Sequence, residues 1–226
     1  MAFKYETVVP WGRSFEEYQR MFALTEQDLN LRIVGCGDGP ASFNAHMAER
    51  DRRVVSCDPL YQLTAKEIQA QIDATYENVI GQTRQNQAQF VWTFIKSPDE
   101  LGQIRRTAMQ TFLADYDQGK QAGRYVAAAL PDLPFEAASF DLAVCSHFLF
   151  LYSDNLSLTF HQRAIEAMCR VAREVRIFPL LTYNAEPSPF VAPLVETLAR
   201  TGYQVSMEGV PYEFQRGGNR MLRVSQ

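Results

Sequence analysis

Apolar positions along this chain follow two rhythms. Short, mostly apolar runs at 31–34, 54–57, 124–129, 142–145 and 175–181 have the length and character of parallel strands covered on both faces. Between them, apolar residues recur at three- and four-residue intervals, as in Phe15, Tyr18, Met21 and Phe22, or Ile68, Ile72, Val79 and Ile80, or Val191, Leu194, Val195 and Leu198. Such spacing puts one apolar stripe on a helix, and it predicts helices over 15–24, 40–50, 64–80, 158–171 and 189–200. A further helix starts after Ser97-Pro98-Asp99-Glu100, a capping-box pattern with proline at the first helical position, and Gly119 and Gly123 close it. Two last strands, 203–214 and 220–224, flank Arg216-Gly217-Gly218-Asn219 and read as a hairpin. Alternating strands and helices predict an α/β fold with a mostly parallel sheet.

One crossover helix is enough to join two parallel strands. The stretch 60–123 holds two, so the surplus is expected to form a helical insertion or cap beside a pocket, shaping entry and excluding water. Trp92 and Phe94 either line that pocket or pack at a helix junction.

The richest chemistry lies in 31–58. Gly35, Gly37 and Gly39 follow the first strand, where a side chain would block both a tight turn and the close approach of a ligand. Asp58 ends the second strand about 20 residues on, a spacing suited to accepting hydrogen bonds from the two hydroxyls of a ribose. The dinucleotide pattern G-x-G-x-x-G needs a glycine at 40, and Pro40 stands there. Proline suits the first turn of a helix, with Asp38 or Gly39 as its cap and the helix N-terminus open to an anionic group.

G-x-G-x-G after a strand, with an acid ending the next strand, resembles class I S-adenosylmethionine-dependent methyltransferases. Leu133-Pro134-Phe135 followed by Ser139-Phe140-Asp141 resembles that family's loop before strand four, and the terminal hairpin is a third match. The resemblance covers 31–59 and 124–226. It implies a Rossmann-like, seven-stranded, mostly parallel sheet with an antiparallel last strand and helices on both faces. Across 1–226 one methyltransferase-like domain is expected, with 1–30 an N-terminal arm or lid. The implied cofactor is S-adenosyl-L-methionine, and Gly35, Cys36, Gly37, Gly39, Asp58, Pro59, Leu130, Ser146 and Arg13 are its candidate contacts. Trp11 and Tyr18 are further lid candidates.

His147, at the carboxyl end of strand four, is the candidate catalytic residue, able to act as a base near neutral pH. The following 148–152 aromatic run either shapes the substrate cavity or packs. His46 and His161 are expected to be peripheral to the chemistry. The family usually carries an acid where Ile33 stands, and Asp38 is the candidate to replace it. A cofactor-binding protein without catalysis is the alternative reading. A nucleotide-dependent oxidoreductase is opposed by Pro40 and the hairpin.

Composition narrows the partners. At 226 residues with net charge −4, and with Lys and Arg scattered, the chain offers no basic stripe for nucleic acid. That absence and the helical cap with its aromatic neighbours favour a small-molecule acceptor, and Asn-Pro-Pro-Tyr, which the resembled family uses on base or amide nitrogens, does not occur at strand four, where Cys145-Ser146-His147-Phe148 stands, which argues against a nucleobase N-methyltransferase. Cys36, Cys57, Cys145 and Cys169 form no C-x-x-C pair and read as reduced, buried thiols of a cytoplasmic protein, with no metal site. The N-terminal stretch has no long apolar run, so neither a signal peptide nor a membrane partner is expected.

Overall fold

The computed structural model describes residues 9–226, so the first eight residues of the expected arm lie outside the described residues. Seven strands form one sheet: β1 Ile33–Cys36, β2 Val54–Cys57, β3 Tyr125–Val126, β4 Phe140–Ser146, β5 Ala172–Phe178, β6 Gln204–Gly209 and β7 Arg220–Ser225. Their order is β3-β2-β1-β4-β5-β7-β6. The five from β1 to β5 pair in parallel, whereas β7 runs antiparallel between β5 and β6. This is the Rossmann-like, seven-stranded, mostly parallel sheet with one antiparallel strand that the resemblance implied, the antiparallel strand seated inside the sheet.

Among the described residues six α-helices accompany the strands: α1 Phe15–Met21, α2 Phe43–Ala48, α3 Ala65–Gln85, α4 Pro98–Gln121, α5 Leu158–Val171 and α6 Val191–Arg200. Strand side chains alternate between two cores, as a period of two requires. Val34, Ala143, Cys145, Val175 and Ile177 pack with Ile165 and Met168 of α5 and Leu194 and Leu198 of α6. On the opposite face Ile33, Val54, Leu142 and Val144 meet Tyr18 and Phe22 from the N-terminal region and Phe43 and Met47 of α2. The insertion between β2 and β3 is helical as expected, and Ile68 and Ile72 of α3 join Met109, Phe112 and Tyr116 of α4 around Tyr125 of β3. Among the described residues no helix is long and apolar enough to cross a membrane.

Several boundaries differ from the periodicity reading, each for a local reason. β1 begins at Ile33 because a 3-10 turn over Asp28–Asn30 occupies the approach, and the Leu31 amide donates to the Asp28 carbonyl at 3.0 Å. α2 begins at Phe43, not Pro40, and neither Asp38 nor Gly39 caps it. Residues 40–42 are held instead by the arm, where the Ser42 amide donates to the Arg13 carbonyl at 3.0 Å. Ser97 caps α4 through the Glu100 amide, while the Glu100 carboxylate turns to the Lys96 amide and leaves the box half closed. His161 stays away from the cavity but is no surface residue: it is fully buried, with Nδ1 and Nε2 each 2.9 Å from a carbonyl oxygen, of Ser157 and Leu149.

Strand order reverses between β1 and β4, since β2 and β3 continue to one side and β5 to the other. Open α/β sheets hold ligands in the crevice at the strand carboxyl ends beside such a reversal.

Candidate functional site

The chain leaves β1 through two left-handed glycines, Gly37 at φ +70° and Gly39 at φ +53°, a conformation that carries little steric penalty only without a Cβ. At Gly39 a Cβ would meet nothing within 4 Å, so this backbone faces open space. Gly35 serves a different end. A Cβ there would lie 1.9 Å from the Asp38 carboxylate, which folds back against β1. Asp38 Oδ1 accepts from the Tyr18 hydroxyl at 2.8 Å and Oδ2 from the Ser56 hydroxyl at 2.6 Å. Burial, with a smaller push from Asp58, raises the Asp38 carboxyl to about 6.

Asp58 stands at the tip of β2. Its Oδ2 accepts from the Gly39 amide at 2.9 Å and its Oδ1 from the Leu60 amide at 2.8 Å, which ties the glycine turn to the 3-10 turn over Pro59–Gln62. Burial shifts this carboxyl upward as well. A carboxylate oxygen has two acceptor positions, so each oxygen of Asp58 retains one for a ligand hydroxyl. The Tyr61 hydroxyl donates to the Gly39 carbonyl at 2.7 Å and holds the turn from the other side.

At the tip of β4, His147 adopts φ +51°, a left-handed conformation uncommon for a residue with a side chain. Its amide donates to the Phe178 carbonyl at 2.7 Å, and Nδ1 lies 2.9 Å from the Ser146 hydroxyl. Among the described residues Nε2 has no hydrogen-bond partner. Burial first, then the charges of Arg13 and Arg105, hold the imidazole well below its usual range, so it is neutral at pH 7.

The arm crosses above these strand tips. The Val9 amide donates to the Tyr152 hydroxyl at 3.2 Å, and the Trp11 ring packs 5.6 Å from Tyr76 of α3. Gly12 passes so close to Pro40 that a Cβ would fall 2.0 Å from its carbonyl oxygen. Beyond it Ser14 and Glu17 form a capping box on α1. The Glu17 carboxylate, wholly buried, also pairs with both Nη atoms of Arg105 in α4 and accepts from the Tyr212 hydroxyl at 2.6 Å. Despite burial, these partners keep Glu17 below its usual value, and Glu17 keeps Arg105 above its own.

These pieces enclose one cavity of about 370 Å³. Of the residues singled out from sequence, Gly37, Gly39, Asp58, Pro59, Leu130, Ser146, His147 and Arg13 line it, with Trp11 and Tyr18. Gly35 and Cys36 lie behind the turn within β1 and do not reach the wall; burial drives the Cys36 thiol well above its usual value. All four cysteines are free and buried. From the insertion, α3 contributes Gln71 and Val79, whereas Trp92 and Phe94 pack elsewhere, against Phe214 and Tyr212. In the aromatic run Phe148, Leu151 and Tyr152 line the cavity, while Leu149 and Phe150 belong to the core. The Glu17, Arg105 and Tyr212 cluster was not anticipated. Ser14-x-x-Glu17 was the available signal for part of it, since a capping box marks a residue that is doubly bonded.

A cavity of this volume falls within the range that holds a small ligand or cofactor, and the open backbone at Gly39 beside the spare acceptor positions of Asp58 fits a nucleoside. No family model matches the chain. Among solved structures, it is 13% identical to the magnesium protoporphyrin IX methyltransferase ChlM of Synechocystis PCC 6803 with bound SAM, at TM-score 0.44 over 87% of this chain and 70% of that one. A SAM-dependent methyltransferase from Aquifex aeolicus gives 13% identity and TM-score 0.42 over 92% and 90%. The S-adenosylmethionine-dependent methyltransferase SibL gives 13% and 0.48 over 94% of this chain and 55% of its own, so this chain spans about half of SibL. In sequence it is 32% identical over 217 residues, 94% of both chains, to the uncharacterized protein MJ0045 of Methanocaldococcus jannaschii. With so high an identity along nearly the whole of both chains, this protein belongs to the same family as MJ0045.

Proposed function

We propose that this protein is an S-adenosylmethionine-dependent methyltransferase acting on a small-molecule acceptor. One observation carries the reading: the glycine turn, Asp58 and His147, far apart in sequence, converge on a single cavity at the point where the strand order reverses. Asp58 accepts from the two ribose hydroxyls with its remaining lone pairs, the backbone of Gly37 and Gly39 runs beneath the amino-acid part, and Leu130 packs against the base. When bound, S-adenosylmethionine supplies a methyl group made electrophilic by a positively charged sulfur. The arm and α3 exclude water and hold the acceptor in line.

A lone pair on the acceptor forms the new bond to the methyl carbon as the carbon–sulfur bond breaks and its electron pair stays on sulfur. Where the acceptor sheds a proton, His147 Nε2 takes it, with Ser146 fixing the ring. Such a transfer needs little covalent help, and holding the partners close and aligned supplies roughly 7 to 11 kcal/mol.

Titration calorimetry with S-adenosylmethionine and S-adenosylhomocysteine tests the reading. We expect both to bind, and Asp58→Asn to weaken them by about ten- to a hundredfold, the loss of one or two hydrogen bonds to a charged group. Equal affinity in the variant refutes the ribose assignment. Binding with no turnover across a broad acceptor screen favours a cofactor-binding protein without catalysis.

A further inference from the structure

The 3-10 turn that follows Asp58 has two sides. Pro59, Leu60, Gln62 and the next residue, Leu63, line the cavity, whereas Tyr61 is fully buried behind it, among the rings of Phe112, Tyr116 and Tyr125 at centroid distances of 5.9, 6.0 and 5.3 Å. A phenylalanine would fill that position equally well, so the hydroxyl needs its own account. It donates to the Gly39 carbonyl at 2.7 Å, while the Gly39 amide donates to Asp58 Oδ2 at 2.9 Å and the Leu60 amide to Asp58 Oδ1 at 2.8 Å. Asp58, Gly39 and Tyr61 thus close a ring of bonds around the carboxylate, and both backbone polar groups of the left-handed Gly39 are fixed in it.

Such a ring can still shift as a unit, and what pins it comes from the insertion. The Tyr116 hydroxyl of α4 lies 2.9 Å from the carbonyl oxygens of both Tyr61 and Leu63, which share its one proton. Its oxygen accepts from the Lys120 ammonium at 3.2 Å, and Lys120 also donates to the Leu63 carbonyl at 3.3 Å. Tyr116 stands on the buried stripe of α4 that carries Arg105, the partner of Glu17, so the helix is itself held to α1. Among the described residues α4 contributes nothing to the cavity wall. The half of the insertion expected to cap the pocket therefore supports it from behind. A ligand-binding group keeps its productive geometry only when the groups that orient it are themselves locked.

We propose that Tyr61 and Tyr116 are positioning residues, through which α4 holds Asp58 and the Gly39 backbone in the geometry that accepts the nucleoside. This makes α4 part of the cofactor site without touching the cofactor. The identity of the nucleoside rests on the methyltransferase reading; the ring of bonds and its support do not.

Titration calorimetry with S-adenosylhomocysteine tests the proposal in variants that delete single oxygen atoms. Tyr61→Phe and Tyr116→Phe are each expected to weaken binding by about three- to tenfold, the worth of one hydrogen bond. In an Asp58→Asn background each should cost less than about twofold, because the carboxylate they align is gone. Tyr125→Phe is the control for packing. Its ring belongs to the same cluster, but its hydroxyl donates to Asp115 at 2.8 Å, and affinity should stay within about twofold of the unaltered protein. Unchanged affinity in Tyr61→Phe and Tyr116→Phe, equal losses with and without Asp58, or a loss of the same size in Tyr125→Phe overturns the proposal. Either of the two variants decides the matter if the other fails to fold, and amide exchange on the unaltered protein needs neither. There S-adenosylhomocysteine should slow exchange in 59–63 and in 112–121 of α4 as well as in the glycine turn, and protection confined to the glycine turn and the arm removes the role. If S-adenosylhomocysteine does not bind the unaltered protein, the methyltransferase reading fails and this role falls with it. Binding that is indifferent to both tyrosines removes this role alone.

Discussion

At Glu17 one carboxylate holds three parts of the chain. It closes the capping box at Ser14, grips Arg105 of α4 with both oxygens and accepts from Tyr212 in the loop between β6 and β7. A buried pair of this kind is not in itself a large source of stability, because desolvation opposes the attraction, but removing one partner strands the other charge. Arg105→Met is therefore expected to destabilise by about 3 to 5 kcal/mol in urea unfolding at pH 7. The double change Glu17→Gln with Arg105→Met should be milder than Arg105→Met alone, since no bare charge remains. Equal losses would mean that packing and not charge sets the effect. Sequence gave little warning of this cluster. Glu17 and Arg105 lie 88 positions apart, and Arg105 falls on a helix whose charged residues otherwise read as a solvated face. Asp58 and the glycines were legible for the opposite reason: they fall in one strand–turn–helix–strand segment of under 30 residues, where a fixed spacing of residue types carries the geometry.

The arm shows what a pattern of apolar positions leaves out at the scale of elements. α5 and β2 fall where periodicity put them, because an amphipathic stripe and a short apolar run are each complete within their own residues. For β3, only Tyr125–Val126 of the apolar run 124–129 pairs as a strand, and the start of α2 slips to Phe43, because contacts from distant segments decide both. Gly12 is such a contact. Residues 9–14 have no regular structure, and their seat depends on a backbone-to-backbone approach at Pro40 that a methyl group would close to 2.0 Å. A carbonyl oxygen on the rigid turn cannot yield as a flexible side chain would, so in Gly12→Ala the arm must lift. The expected loss is about 1 to 3 kcal/mol of stability, as for other overpacked sites, together with weaker binding of S-adenosylhomocysteine. In a Trp92→Phe background Trp11 is the remaining tryptophan, and its emission should shift to the red when Gly12→Ala exposes it. An unshifted spectrum with unchanged affinity would show that the arm does not seal the cavity.

For the molecule as a whole, the buried carboxylate at Asp38 makes stability depend on pH in the direction opposite to an ordinary ion-paired acid. Tyr18 of α1, Asp38 of the turn and Ser56 of β2 form one hydrogen-bonded bridge without a cation, and burial lifts the carboxyl to about 6 from 3.8. Between these values the folded protein binds the proton and the unfolded chain releases it. Stability linked to this group is therefore highest below about pH 4, declines as pH rises toward 6 and stays low above it. The two-unit displacement corresponds to at most about 3 kcal/mol. Asp141, held down to about 2 mainly by its hydrogen bonds to Arg32, behaves the other way and acts below the ordinary carboxyl range, as pH falls toward 2. Asp38→Asn isolates the Asp38 contribution, because the amide can accept from Tyr18 and donate to Ser56 yet never ionises. Asp141 is common to both proteins and cancels in the difference. Urea unfolding at pH 4, 5, 6 and 7.5 should show the variant gaining on the unaltered protein by about 2 to 3 kcal/mol across the series, most of it before pH 6.5. A difference that stays flat would mean that Asp38 ionises in the fold as freely as in water, and that hydroxyl donors alone suffice to hold a charge beneath the glycine turn.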